Sequence, residues 1–325
     1  MPVSYLQGGR RRRRAKAPLL VVLALLVGAG AFGGWQASGR SASEPRVALI
    51  SPRHAASRPN AGPRVSQAGP EPLIAVRRPL ALGIGIAGRA GILVDGATGT
   101  VIWTKHPHLR RPIASTTKIM TATLALEHLK PDAVVTIDPS VPRAAPFREG
   151  LRAGERVAAW KLFYGLLLYS GNDDALALAI AAAGSRTAFV KLMNAKAQQL
   201  GLHDSHFRSP SGVVDRDNYS SPWDLAALAR YAMRNPRFRA VVRARVKRVP
   251  WSAPTYSKIY VNKNHLLVTY SGADGIKTGW TTMASHCLVA SATRHGIRLI
   301  AVVLDSPDVY TDAKRLLDYG FSKRG

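Results

Sequence analysis

Cysteine and acidic residues are scarce in this chain of 325 residues. The single cysteine, Cys287, excludes an internal disulfide framework and any zinc or iron–sulfur site built from cysteines alone. Only 19 Asp and Glu residues stand against 46 Lys and Arg residues, which gives a formal net charge of +27. A balance this basic requires an anionic partner, and nucleic acid, anionic lipid and anionic wall polymer all meet that requirement. The composition therefore predicts the charge of the partner and leaves its class open.

A charge-free stretch, residues 17–35, follows a basic cluster near the start of the chain. The cluster consists of Arg10 to Arg14 and Lys16, and the stretch centres on a run of leucine and valine. This order is typical of an export signal or of an anchor whose N-terminus stays in the cytoplasm. We predict a signal or transmembrane anchor over residues 1–36, either cleaved or retained, with the remaining chain on the extracytoplasmic face of the cell membrane.

The composition changes twice after this segment. Residues 37–80 are assigned to a linker, because their first part is rich in Ser, Ala, Pro, Gly and Arg and lacks an apolar period. Residues 81–325 have the apolar patterning of one globular domain. Strands at both ends and helices in the middle predict an α/β or α+β domain whose sheet uses both ends of the chain. The predicted strands are 92–94, 101–103, 284–293 and 299–304, and the predicted helices are 113–129, 157–169, 175–183, 189–200, 222–233 and 309–317.

Ser115 and Lys118 form the first motif that carries chemistry, at the start of the predicted helix 113–129. Positions i and i+3 project from one helix face, so the hydroxyl and the amine can meet. A partly desolvated lysine with a lowered pKa can serve as the base for a serine nucleophile. The alternative is that Ser115 caps the helix and Lys118 is a solvated surface lysine. The motif by itself does not decide between them.

Ser170, Gly171 and Asn172 form the second motif, in a short connection between two apolar helices. Such a connection can present a hydroxyl and an amide to a cleft. The alternative is that Gly171 ends one helix and Asn172 or Asp173 caps the next, with Asp174 as a further candidate cap. Both descriptions remain open at this point.

Lys277, Thr278 and Gly279 form the third motif, at the entrance of a predicted strand. A lysine beside a threonine can bind a substrate carboxylate by charge and by hydrogen bonding. Gly279 would let the backbone of a ligand lie close to the strand. The alternative is a turn rich in glycine with a solvated lysine.

The three motifs occur together in one chain order, Ser-x-x-Lys, Ser-x-Asn and Lys-Thr-Gly, which is the signature of the penicillin-recognising serine enzymes. Over residues 85 to 321 the chain resembles the D-alanyl-D-alanine carboxypeptidases. Ser-Gly-Asn in place of Ser-Asp-Asn argues against the commonest class of β-lactamase. The segments that carry the resemblance are Ala90–Asp95, Arg111–Thr121, Leu168–Asp173, Ser209–Gly212, Asp274–Gly279 and Leu317–Phe321.

The resemblance implies a β-lactamase/transpeptidase-like fold, an antiparallel sheet flanked by helices with an all-helical subregion. It also implies a role for each matched residue. Ser115 would attack the carbonyl between the last two D-alanines of a peptidoglycan stem peptide, and Lys118 would take its proton. Ser170 would relay a proton, and Asn172 would bind the backbone of the substrate. Lys277 and Thr278 would bind its carboxylate, on a strand where Gly279 lets a ligand lie close. The backbone N–H groups of Ser115 and Trp280 would form the oxyanion hole.

The implied partners are the peptidoglycan stem peptide as substrate and β-lactams as covalent inhibitors, together with the membrane through the N-terminal segment. No metal or other cofactor is expected, and no nucleic acid, because the chain shows no nucleic-acid-binding motif and the export segment would keep it away. Two alternatives stay open. The protein could be a D,D-endopeptidase or transpeptidase, or it could be a catalytically idle penicillin-binding protein of the cell wall.

Two local features remain to be placed. The family more often has glycine where this chain has Ser285, and the substitution is expected to affect the strand beyond the site. A basic run lies between residues 237 and 248, and it is either a solvated helix end and edge strand or a contact surface for anionic wall polymer or lipid headgroups. Its members are Arg237, Arg239, Arg243, Arg245, Lys247 and Arg248.

Overall fold

The structure, a computed structural model, describes residues 73–75, 84–130, 132–213, 216–251 and 257–323. The predicted anchor 1–36 and nearly all of the predicted linker 37–80 lie outside these residues. Within them, no single helix has the length and apolar composition to cross a bilayer, and one bent pair, Asn172–Ala183 with Arg186–Gln199, passes the same test.

The described residues contain eleven strands and eight α-helices. The strands are β1 (Ala90–Asp95), β2 (Val101–Lys105), β3 (Arg111–Pro112), β4 (Val134–Thr136), β5 (Arg156–Ala158), β6 (Tyr219–Ser220), β7 (Val246–Val249), β8 (Lys258–Val261), β9 (Ala273–Thr281), β10 (Ser285–Arg294) and β11 (Ile297–Ser306). The helices are α1 (Lys118–His128), α2 (Ala159–Tyr164), α3 (Asn172–Ala183), α4 (Arg186–Gln199), α5 (Pro222–Ala232), α6 (Pro236–Val242), α7 (Leu266–Thr269) and α8 (Val309–Ser322).

The central sheet has five strands in the order β2-β1-β11-β10-β9. All of its neighbouring strands are antiparallel. Strand β1, near the start of the domain, pairs with β11, near its end, and Ile92 lies opposite Val302. The antiparallel sheet, flanked by helices, confirms the predicted fold class and the prediction that the sheet uses both ends of the chain.

Both faces of this sheet are buried, because successive side chains of a strand point to opposite faces and both sets are apolar. Ile92 and Val94 lie in the larger core, with the helices of the middle of the chain. Leu93 lies in the smaller core, with Leu316 and Leu317 of α8. Cys287 is packed in β10 at 1% exposure, and burial raises the pKa of its thiol to about 12. Cys287 lies within the predicted strand 284–293, and its place on a strand is confirmed.

The predicted helix 157–169 is wrong at its first residues. Val157 belongs to β5 and pairs with Val135 of β4, so the helix α2 begins two residues later. A π-helical turn over residues 165–169 follows and ends at Ser170, whose φ of +75° lies in the left-handed region. The apolar composition is the same in a short buried strand and in a buried helix, so periodicity alone could not separate them.

Ser285 begins β10 with a φ of +56°. Glycine adopts this left-handed conformation without steric cost, whereas serine does not. The structure therefore gives a physical reason why relatives would carry glycine there. Strand β10 starts at this residue and pairs with β9 from here onwards, with Ser285 opposite Thr281.

Candidate active site

Ser115 and Lys118 meet at the start of α1. A 3₁₀ turn over Ala114–Thr117 precedes the helix, and the Nζ of Lys118 lies 3.0 Å from the Oγ of Ser115. Lys118 is fully buried, so the alternative of a solvated surface lysine is wrong. Ser115 caps neither the turn nor the helix, since Ile113 and Thr117 occupy those positions. The spacing of the motif predicted this contact correctly.

Three oxygen atoms surround the amine of Lys118. Besides Ser115, Nζ donates to Oδ1 of Asn172 at 2.7 Å and to the carbonyl of Ser211 at 3.1 Å. Burial lowers the pKa of Lys118 well below its usual value, and the nearby charge of Lys277 lowers it further. An amine with a lowered pKa, 3.0 Å from a hydroxyl, has the position that a general base for serine requires.

The segment Ser170–Asn172 is held from both sides. Asn172 is the first residue of α3, and its Nδ2 donates to the carbonyl of Pro146, which turns Oδ1 towards Lys118. The residue that caps α3 is Gly171, without a side-chain cap, so the predictions of Asn172, Asp173 or Asp174 as the cap are wrong. Asp173 instead accepts hydrogen bonds from three backbone N–H groups of another loop, at Glu149, Gly150 and Leu151.

Lys277 lies in β9 at 1% exposure, so the alternative of a solvated lysine in a turn is wrong. Its Nζ donates to the carbonyl of Thr278 at 2.9 Å. Burial lowers the pKa of Lys277 to about 7, and the charge of Lys263 contributes in the same direction. No carboxylate of the described residues forms a salt bridge with Lys277, and a buried lysine of this kind is a ready site for an anionic ligand group.

Gly279 brings two parts of the site together. A Cβ added to it would lie 2.9 Å from the carbonyl oxygen of Ile113 and 3.1 Å from the backbone N of Ser115. The backbone that approaches Gly279 most closely thus belongs to the 3₁₀ turn that contains Ser115. The sequence had suggested the backbone of a ligand at this position. The absent side chain sets the distance between β9 and Ser115.

The loop Ser209–Gly212 completes the surroundings of Lys118. The carbonyl of Pro210 accepts a hydrogen bond from Oγ1 of Thr121 at 2.6 Å, and the next carbonyl accepts from Lys118. Gly212 has a φ of +73°, and a Cβ there would lie 2.1 Å from the carbonyl oxygen of Ala114. The close contact and the left-handed backbone both require glycine.

A cleft of about 790 Å³ opens over these groups. Lys118 and Lys277 are buried and do not line it, whereas the other six predicted site residues do. These six are Ser115, Ser170, Asn172, Thr278, Gly279 and Trp280. Trp280 is 56% exposed, so the cleft has an apolar rim next to its polar floor. Among the described residues, no three His, Cys, Asp or Glu side chains converge as metal ligands would.

Lys263 also lines the cleft, and the sequence did not predict it. Its Nζ lies 4.7 Å from the ring centre of Tyr169 and 5.4 Å from that of Phe147, and burial lowers its pKa. Two asparagines flank it, and both donate from Nδ2 to backbone carbonyls, Asn262 to Val242 and Asn264 to Gly275. The Asn-Lys-Asn pattern was the signal available in the sequence, because asparagines of this kind fix a loop.

Comparison with known proteins agrees with this geometry. A sequence model described as D-alanyl-D-alanine carboxypeptidase, of the S11 peptidases, matches residues 77–308. A D-alanyl-D-alanine carboxypeptidase of Streptomyces sp. strain K15 is 39% identical over 277 residues, which cover 78% of this chain and 92% of the relative. A D-alanyl-D-alanine endopeptidase of Escherichia coli is 33% identical over 237 residues, covering 71% of this chain and 76% of the relative.

The fold is also similar to a solved structure. The crystal structure of the Streptomyces K15 DD-transpeptidase superposes with a TM-score of 0.69 at 36% identity, covering 74% of this chain and all of that one. The matched range includes the three motifs and all five strands of the central sheet. The chain belongs to the D-alanyl-D-alanine carboxypeptidase family of serine peptidases.

Proposed function

We propose that this protein removes the terminal D-alanine from peptidoglycan stem peptides through an acyl-serine intermediate, with the residue roles given below. The observation that carries the proposal is the buried Lys118 amine 3.0 Å from the Ser115 hydroxyl, which combines a nucleophile with a base of lowered pKa.

Acylation begins at Ser115. Its Oγ attacks the carbonyl carbon of the penultimate D-alanine while Lys118 takes the hydroxyl proton. The backbone N–H groups of Ser115 and Trp280 stabilise the developing oxyanion. Ser170 passes a proton to the leaving amine of the terminal D-alanine. The Ser170 hydroxyl suits a relay because it lines the cleft and has no hydrogen-bond partner among the described residues.

Asn172 has two tasks in this scheme. Its Oδ1 and one N–H of Nδ2 are engaged by Lys118 and by Pro146, so it orients the base. An amide nitrogen carries two hydrogens, and the second remains for the backbone of the substrate. Asn172 therefore links the position of the substrate to that of Lys118.

The terminal carboxylate is held by Lys277 and Thr278. Lys277 supplies the charge and Thr278, which lines the cleft, supplies a hydroxyl. Lys263 adds a second cation at the cleft wall. Water then hydrolyses the acyl-serine, and a β-lactam that acylates Ser115 in place of the peptide acts as an inhibitor.

A transpeptidase or endopeptidase is the second candidate, because the same acyl-serine serves all three reactions. Its specific support is the open, apolar rim of the cleft, where Phe147 is 64% exposed, Trp280 56% and Met283 54%. A rim of this kind can receive a second peptide strand. An amine acceptor in place of water distinguishes the transpeptidase, and cleavage of cross-linked dimers distinguishes the endopeptidase.

The proposed location is the extracytoplasmic face of the membrane, with residues 1–36 as anchor or cleaved signal. The support is the order of a basic cluster and an apolar run in the sequence. The mass of the mature N-terminus separates a retained anchor from a cleaved signal.

Ser115→Ala tests the peptidase assignment. The variant should lose both labelled-penicillin acylation and release of D-alanine from a stem pentapeptide, because no other group replaces the nucleophile. Ser322→Ala, at an exposed serine of α8, is the matched control and should keep both. D-alanine release by Ser115→Ala would refute the proposed nucleophile, and penicillin acylation without release in the wild type would identify an idle binding protein.

A further inference from the structure

The β7–β8 pair carries an unusual number of exposed aliphatic side chains. Val246 is 58% exposed, and Ile259 and Val261 are each 63% exposed. The alternate positions point inwards, since Val249 and Tyr260 are buried. The inner side of the pair thus contributes Val249 and Tyr260 to the core, and the outer side presents three exposed aliphatic side chains.

Strand register joins these side chains into one surface. Val246 lies opposite Val261, and Arg248 lies opposite Ile259. Residues two apart on a strand share a face, so all four side chains project from the same side of the pair. We call this surface, formed by Val246, Arg248, Ile259 and Val261, the β7–β8 face.

Basic residues continue from this face towards α6. Arg243 and Arg245 are exposed just before β7, and Arg248 is exposed within it. None of the basic run forms a salt bridge with a described residue. Lys247 points the other way, with its Nζ 5.3 Å from the ring centre of Tyr164. Arg248 therefore stands among the exposed aliphatic groups on the β7–β8 face, and two more exposed arginines lie in the segment that leads into it.

We propose that the β7–β8 face docks onto the surface of an anionic lipid bilayer. A lipid surface meets both properties of the face, since headgroups neutralise the arginines and the acyl boundary receives the aliphatic side chains. An anionic wall polymer would neutralise the arginines and leave Val246, Ile259 and Val261 in water. A second copy of the chain would bring the same arginines against one another, which costs electrostatic energy.

Docking would place the active-site cleft beside the membrane. Strand β8 ends at Val261, and Lys263, two residues later, lines the cleft. The inference rests on the extracytoplasmic, membrane-associated location proposed above, but it does not depend on the peptidase chemistry. Its consequence is a fixed orientation of the cleft towards substrate at the bilayer surface.

The lone cysteine makes a site-specific test possible in the full chain. Cys287 is buried and its thiol has a pKa raised to about 12, so it should resist thiol-directed labels in the native state. An Ile259→Cys variant can then carry an environment-sensitive fluorophore on the β7–β8 face. Ser322→Cys, isosteric and exposed on α8, is the matched control. Labelled-penicillin acylation of both variants verifies that the site has folded.

Phosphatidylcholine vesicles, with and without phosphatidylglycerol, are the probes. The label at 259 should shift to shorter wavelength with the anionic vesicles only, and the label at 322 should not shift with either. Adding Arg248→Gln should lower the docking equilibrium constant about fivefold, which corresponds to about 1 kcal/mol for one basic residue near an anionic surface. Raised salt should weaken docking in the same direction.

Four results would overturn the proposal. These are no shift at 259, an equal shift with neutral and anionic vesicles, a shift without vesicles that grows with protein concentration, and a shift with isolated wall polymer but not with vesicles. The third result would identify self-association and the fourth a wall contact. A Ser115→Ala variant that still docks would separate this inference from the peptidase function.

Discussion

The active site and the region around the β7–β8 face both carry several basic side chains, which are buried in the first region and exposed in the second. In the cleft, Lys118 and Lys277 are buried and their pKa values are lowered by desolvation. On the β7–β8 face Arg248 is exposed to water, and so are Arg243 and Arg245 just before it. Burial of a lysine yields a group that can lose its proton near neutral pH, whereas an arginine stays charged. The proposed tasks differ in the same way, since Lys118 must take up and release a proton whereas the exposed arginines must stay charged.

Lys118→Arg should break the cleft side of this comparison most strongly. A guanidinium does not deprotonate, so it cannot take the proton of Ser115, and acylation by labelled penicillin should fall about 10³-fold. The measurement is the acylation rate, with thermal unfolding as the check on folding. Lys191→Arg, at an exposed lysine of α4, should leave the rate unchanged. A rate for Lys118→Arg within about tenfold of wild type would contradict a general-base role.

Gly279→Ala should have the next largest effect. The new Cβ would meet the carbonyl oxygen of Ile113 at 2.9 Å and the backbone N of Ser115 at 3.1 Å. Because both of these are backbone atoms, β9 must move away from Ser115. A misplacement of this order lowers acylation about 10²-fold. Gly85→Ala is the matched control, because an added Cβ there meets nothing within 4 Å. Equal rates for the two variants would show that the β9 contact does not position the nucleophile.

The pH dependence of substrate binding should report Lys277. In the proposed mechanism its ammonium form holds the carboxylate, so with a pKa of about 7 the interaction should be present below that pH and lost above it. The ratio of kcat/KM for a peptide with a free carboxylate to that for its C-terminal amide should fall about tenfold per pH unit above this value. Taking the ratio cancels the opposite contribution of Lys118. A ratio that stays constant to pH 9 would contradict carboxylate binding by Lys277.

Arg248→Gln should have the smallest effect in this series. The side chain is exposed on the β7–β8 face and lines no part of the cleft, so acylation should stay within about twofold of wild type. Labelled-penicillin acylation in detergent measures this without a lipid surface. A loss beyond about tenfold would show that the two regions are coupled.

Several features followed from local pattern. The hairpin of β1 and β2, the closing strands and α8 are long or strongly patterned, and the structure confirms them. The Ser-x-x-Lys spacing predicted a contact that depends only on helix geometry, which is a short-range property. The segment from Val157 was misassigned because its partner, β4, lies some twenty residues earlier, and strand pairing is not visible in a short apolar run.

The sequence by itself determined the family, the order of the three motifs and the surplus of positive charge, because each is a property of residue type and spacing. Only the tertiary structure decided that Lys118 and Lys277 are buried, since burial depends on what the rest of the chain packs around them. It also decided that Gly279 accommodates the turn of Ser115 and that Lys263 joins the cleft. Gly279 lies more than a hundred positions from Ser115, and Lys263 lies more than ninety positions from Tyr169. Such separations close only when the fold is complete.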